Sequence, residues 1–206
     1  MIFMSTEQEI QNETNSVREI MNQRRSIRRF KQKPIALDFL QELVNVARVA
    51  PSAANLQPLE YIIIDDSPVC KQVFETINWA AYLQPKWSPS PEEQPTAYII
   101  ILCNTEIANA SFSKYDVGLA SENIMILAET EDVGSCMICS FNHESVRNLL
   151  KIPSKYSLET IIALGYKKEQ AVMVPLEDSV EYWRDQKDVH YVPKREMKDI
   201  LHHNTF

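Results

Sequence analysis

Three segments, Tyr61 to Ile64, Ala97 to Cys103 and Thr160 to Leu164, are apolar at nearly every position rather than at every second one. A strand that alternates has one dry face; a strand that does not alternate is covered on both. These runs therefore predict a sheet at the centre of the molecule with helices packed on each side. The spacing supplies the helices. Pro34 to Ala50 places Leu37, Leu40, Leu43, Val44 and Ala47 on one face and Asp38, Gln41, Asn45 and Arg48 on the other, and Pro51 ends it. Val69 to Ile77 and Asn142 to Leu150 read as two more, with Asn142 as an N-cap. Tyr115 to Thr130 is apolar round most of its circumference, which predicts a central helix or one that lies in an interface. The polar stretch before Gln23 carries a helical stripe of Ile10, Val17, Ile20 and Met21.

Glycine narrows the chemistry. The 206 residues contain only Gly118, Gly134 and Gly165, too far apart for GxGxxG or GxxxxGK[ST]. A phosphate-bearing ligand would have to be held by side chains. Charge is also placed unevenly. The net charge is −7, a poor balance for general nucleic-acid binding. Yet Arg24, Arg25, Arg28, Arg29, Lys31 and Lys33 fall within ten residues with no acid among them, which leaves 15 basic residues against 28 acidic ones elsewhere. Such a block is either a localised anion site, with Ser26 adding a hydroxyl, or a solvated basic turn.

A second polar block, Ala50-Pro51-Ser52-Ala53-Ala54-Asn55-Leu56-Gln57-Pro58, joins a helix to a strand. Its side chains suit a heterocycle edge, and they equally suit a simple turn. Cys136-Met137-Ile138-Cys139, with His143 beyond, has half the ligands of a zinc site and no second CxxC, so it reads as core thiols. All four cysteines lie in apolar settings, as reduced thiols of the cytoplasm do. Asp65-Asp66 and Glu92-Glu93 read as solvated acids; His190, His202 and His203 fit no metal or nucleophile motif. Gln84 to Pro95 is a proline-rich surface flap. No apolar run is long enough to span a membrane as a helix, and Glu7 and Glu9 follow Met1 to Met4 too closely for a secretory leader. Beyond Pro175 the chain is charged and aromatic, with a short helical stretch expected from Glu196 to His202.

Taken together, Arg24-Arg25-Ser26-Ile27-Arg28-Arg29-Phe30 and Pro51-Ser52-Ala53-Ala54-Asn55-Leu56-Gln57-Pro58 resemble the FMN-dependent nitroreductase family. Trp79-Ala80-Ala81-Tyr82 with Pro95-Thr96-Ala97-Tyr98, Asp116-Val117-Gly118-Leu119-Ala120, Val133-Gly134-Ser135-Cys136-Met137-Ile138, and Val192-Pro193-Lys194-Arg195 with Asp199-Ile200-Leu201-His202 follow in the family's order. The resemblance implies one α+β domain over 1–206, with 1–15 a peripheral extension and 180–206 a C-terminal arm. It implies a mostly antiparallel sheet flanked by helices on both faces, in an intertwined homodimer with FMN at the subunit interface. In such proteins the counterparts of Arg24, Arg25, Ser26 and Arg28 hold the phosphate and ribityl chain. Those of Pro51, Ser52, Ala53, Asn55 and Gln57 reach the flavin from the partner subunit, Met137 and Ile138 lie beside its ring, and Lys194 and Arg195 close over the phosphate.

The implied reaction is ping-pong hydride transfer from NADH or NADPH through flavin N5 to a nitroaromatic or quinone-like acceptor, with no catalytic side chain and no metal. The alternatives are a dehalogenase or azoline dehydrogenase on the same scaffold, a flavin-binding protein with little turnover, and a non-flavin module whose arginines bind an acidic partner.

Overall fold

The computed structural model describes residues 17–83, 87–108 and 110–206; the expected extension over 1–15 and the start of the flap, 84–86, lie outside them. In chain order the elements are α1 over residues 17–23, then β1 (Phe30–Lys31), α2 (Leu37–Ala47), β2 (Leu59–Ile64), α3 (Ser67–Glu75), β3 (Ala97–Asn104), α4 (Ala110–Thr130), β4 (Val133–Ile138), α5 (His143–Leu150), β5 (Tyr156–Lys167), β6 (Ala171–Pro175), β7 (Trp183–Arg184) and β8 (His190–Lys194).

The apolar runs pair with one another. β5 is the spine: β3 lies along one side of it and β4 along the other, β1 pairs with its end, and β2 lies outside β3, every pairing antiparallel. Continuous hydrophobicity has the anticipated cause. Tyr98, Ile100 and Leu102 face a cluster with Cys70 and Val73 of α3 and Val146 of α5. Ala97, Ile99 and Ile101 face Leu40 and Leu43 of α2 and Ile124 and Ala128 of α4. Each fully buried isoleucine contributes about 1.5–3 kcal/mol relative to exposure. Asn142 caps α5 as expected, its side chain accepting from the Ser145 N–H at 2.9 Å.

Two of the three glycines explain how the arginine block reaches this sheet. A Cβ on Gly134 would lie 2.8 Å from Ile27, and one on Gly165 would lie 2.8 Å from Phe30. The chain from Ile27 to Phe30 packs on the sheet where β4 and β5 have no side chain, so these glycines serve close approach.

The structure departs from the expectations at four points. The C-terminal stretch from Glu196 is a single 3₁₀ turn, Met197–Asp199. Before it stands a second, three-stranded sheet in which β6 runs parallel to β8 and β7 antiparallel to it. Cys139 is exposed; Cys70, Cys103 and Cys136 are buried, and all four are free. Glu93 is no solvated acid: it takes ion pairs from Arg29 and Lys168, each at 3.3 Å.

Candidate functional site

The arginine block lies along an edge of β4. Ser26 bridges to Ser135 in parallel, and the Ile27 N–H donates to the Ser135 carbonyl at 2.9 Å. Backbone groups point alternately to the two edges of a strand, so the N–H and C=O of Met137 point off the same edge as those of Ser135. Beyond Ser26 that edge offers a donor and an acceptor. Burial pushes the Cys136 thiol up, with the Glu169 charge adding to the rise and the charges of Arg28 and Arg24 and a hydrogen bond from Ser26 opposing it. Met137 is half-buried on the α2/α4 face, and Ile138 is buried on the other.

The block does not act as one pool of charge. Arg24 reaches Glu122 of α4 at 3.4 Å. Arg25 turns back to the end of α1, where its guanidinium donates to the carbonyls of Arg24 and Asn22, the latter at 2.7 Å. It also lines a cavity of about 580 Å³ with Lys31, Lys167 and Glu169. Arg29 is neutralised by Asp188 at 3.0 Å and by Glu93. Lys33 lies 4.0 Å from the centre of the Tyr166 ring. Arg28 has no carboxylate partner among the described residues. Its guanidinium lies over the Tyr182 ring at 4.8 Å, and its Nη1 is 3.3 Å from His190 Nε2. The Nε of Arg25 is buried without a hydrogen-bond partner, a donor that a bound anion would satisfy.

The second polar block is a strained loop. Ala54, Asn55 and Gln57 all have left-handed backbones, φ 51°, 55° and 50°, with no glycine to relieve them. Among its hydrogen bonds, two have side-chain acceptors. The Asp116 carboxylate, buried on α4, accepts from the Ala53 N–H at 3.0 Å, and the Ser52 hydroxyl accepts from the Gln57 N–H at 3.0 Å. Pro51, Asn55 and Gln57 remain exposed. Pro51, Ser52 and Gln57 line a cavity of about 150 Å³ with Tyr61 and Asp116. Burial, with the Asp116 charge adding to it, pushes the Tyr61 hydroxyl up to about 12. This loop and the arginine block line different cavities of one chain, and each is anchored to α4.

Lys194 ends β8 exposed, and Arg195 donates to the Asp199 carbonyl. No contact ties either to the block among the described residues.

Sequence spacing missed the groups beneath the block. Glu169, in the turn between β5 and β6, accepts from the backbone N–H groups of Arg28 and of Arg29, the latter at 3.0 Å, and from Arg184 Nη2 at 2.5 Å. Arg184 in turn lies over the Trp87 ring at 4.5 Å. His190 is fully buried with its Nδ1 unpartnered. Glu169 and Arg28 stand 141 positions apart, and no local pattern joins them.

Comparison with known proteins bears on the family and the fold. The model of the Nitroreductase family matches residues 21–166. The chain is similar to an NADH dehydrogenase of Thermus thermophilus, 26% identical over 78% of this chain and 92% of the relative. It is similar to an iodotyrosine deiodinase of Thermotoga neapolitana, 26% identical over 76% and 91%. Among solved structures it shares its fold with an FMN-dependent nitroreductase of Clostridium difficile, at 23% identity, TM-score 0.65, covering 91% of this chain and 98% of the other.

Proposed function

The chain belongs to the Nitroreductase family, and we propose that it works as one FMN-binding domain that passes hydride from NADH or NADPH to an electron-poor acceptor in a ping-pong cycle. One observation carries the reading. Ser26 pairs with the β4 edge to which Met137 adds a backbone donor and acceptor, Arg24 and Arg28 flank it in sequence, and the Arg28 guanidinium has no carboxylate partner among the described residues. The residues fit FMN. The buried Nε of Arg25 lacks a partner, a donor that a phosphate would satisfy. Bound FMN supplies a ring that accepts and donates hydride at N5.

The chain's own groups then have these tasks. Arg24, Arg25 and Ser26 hold the phosphate and ribityl chain, and Lys194 and Arg195 close over the phosphate. Met137 would seat the ring on its backbone, with Ile138 beside it on the same strand. Arg28 would hold the phosphate and ribityl chain with Arg24, Arg25 and Ser26, its charge preorganised as at an oxyanion site. No side chain needs to give or take a proton.

The loop from Pro51 to Gln57 completes the site from a second copy, which accounts for its distance from the block in one chain. The exposed face of α4 supports such a dimer. Phe112, Tyr115 and Leu119 are 61%, 72% and 46% exposed at helical spacing on the helix that holds both blocks. The deiodinase relative supports a second reading, reductive dehalogenation on the same scaffold. Free cysteines fit work in the cytoplasm.

Anaerobic stopped-flow tests the reading. NADH or NADPH is expected to bleach the flavin, and a nitroaromatic, a quinone or an iodophenol to restore it, with parallel double-reciprocal lines. Intersecting lines would exclude the ping-pong order. Flavin that none of these acceptors reoxidises would exclude the acceptor class.

A further inference from the structure

Of Arg24, Arg28, Arg29 and Arg184, three are answered by carboxylates: Arg24 by Glu122, Arg29 by Glu93 and Asp188, and Arg184 by Glu169. Arg28 is answered by a histidine. Its Nη1 lies 3.3 Å from His190 Nε2. A guanidinium only donates, so Nε2 must accept and the ring's proton sits on Nδ1. The ring is therefore neutral. A charged imidazolium would face Arg28 and also Arg184, its cross-strand partner on β7, with like charge. Burial first, then those two arginines, hold the ring proton's pKa down at about 4.

The ring is itself fixed. Its backbone N–H donates to the Gln170 carbonyl at 2.9 Å, and Tyr182 packs against it with ring centres 5.2 Å apart. Tyr182 also covers one face of Arg28. The arginine is thus gripped at one edge and one face, while Glu169 accepts from its backbone N–H. A carboxylate in place of His190 would hold Arg28 as well but would spend its charge inside the protein. A neutral acceptor orients the guanidinium and leaves that charge for a ligand.

We propose that His190 is a positioning residue that, as a neutral imidazole accepting through Nε2, aims the unspent charge of Arg28 at the cofactor on the β4 edge. The inference rests on the flavin reading above and adds to it the group that sets Arg28.

Fluorescence titration with FMN tests it in four proteins: wild type, Arg28→Ala, His190→Phe and the double variant. Loss of one hydrogen bond to a charged group predicts FMN binding about tenfold to a hundredfold weaker in each single variant. The double variant is expected to be little weaker than either, because both remove one device. His190→Gln, which restores an acceptor, should recover most of the loss, and His190→Glu should not. If wild type takes up no FMN, or Arg28→Ala binds it unchanged, the flavin reading of Arg28 fails and this inference with it. If Arg28→Ala is weak and His190→Phe is not, or if the two losses add, the inference alone fails. Should His190→Phe not fold, long-range ¹H–¹⁵N spectra of the wild-type histidine rings decide, with His190→Gln giving the assignment. A neutral Nδ1–H ring at pH 6 is expected; an Nε2–H or charged ring overturns the proposal.

Discussion

Arg184 Nη2 lies 2.5 Å from Glu169 Oε2, and the two side chains are only 9% and 1% exposed. This buried pair joins the second sheet to the turn that pins the backbone of Arg28 and Arg29. Removing one partner leaves the other charged, desolvated and unanswered, a cost of about 3–5 kcal/mol. Glu169→Gln is therefore expected to lower the free energy of unfolding measured in urea by that amount. Because Trp87 packs on Arg184, the indole fluorescence should report the same transition. A variant with Arg184→Met added should recover part of the loss, since the unpaired charge is then gone.

Asp116 holds a loop that the backbone itself disfavours. Asp116→Ala removes the acceptor from the Ala53 N–H, and about 1–3 kcal/mol goes with it. The effect should be local. Hydrogen exchange at Ala53 and Leu56 is expected to speed up at least tenfold while exchange in β3 and β5 is unchanged. A uniform rise across the chain would contradict the local anchoring described for this loop.

Gly165 is where the sheet admits Phe30. Gly165→Ala drives a methyl to within 2.8 Å of that ring's attachment, an overpacking cost of about 1–3 kcal/mol. Phe30→Leu in the same chain should offset some of it. Equal loss in both backgrounds, measured by thermal unfolding, would show that the contact does not carry the effect.

His190 makes stability depend on pH. Its pKa is about 4 in the folded chain against the ordinary 6.5. Between those values the unfolded chain binds a proton that the folded chain does not, so acid favours unfolding. The contribution is whole above pH 6.5 and is lost as pH falls through about 4. The melting temperature of wild type should thus fall more steeply from pH 6.5 to 4 than that of His190→Gln.

Local features were legible in the residues, and distant ones were not. The central strands showed because Ile99 to Ile101 and Ile161 to Leu164 are apolar on both faces, and Asn142 showed as a cap because capping acts within three residues. The nitroreductase motifs pointed to the sheet, its flanking helices and the arginine block. The second sheet was hidden: its strands are two to five residues long, and Pro175 and Pro193 interrupt two of them. The partners of the block were hidden for the same reason. Glu169, Arg184 and His190 reach it through pairings of strands that spacing cannot register. The loop at Ala53 was legible as polar, but its left-handed backbone was not, because no glycine marks it.

The most direct test of the central claim is the absorbance spectrum of the purified protein after addition of FMN and removal of the excess. Mass spectrometry then identifies what denaturation releases. The account predicts a flavin spectrum with about one FMN per chain and marked loss of it in Arg24→Ala/Arg28→Ala. A folded protein that stays colourless, or a double variant that retains its full flavin, would contradict it.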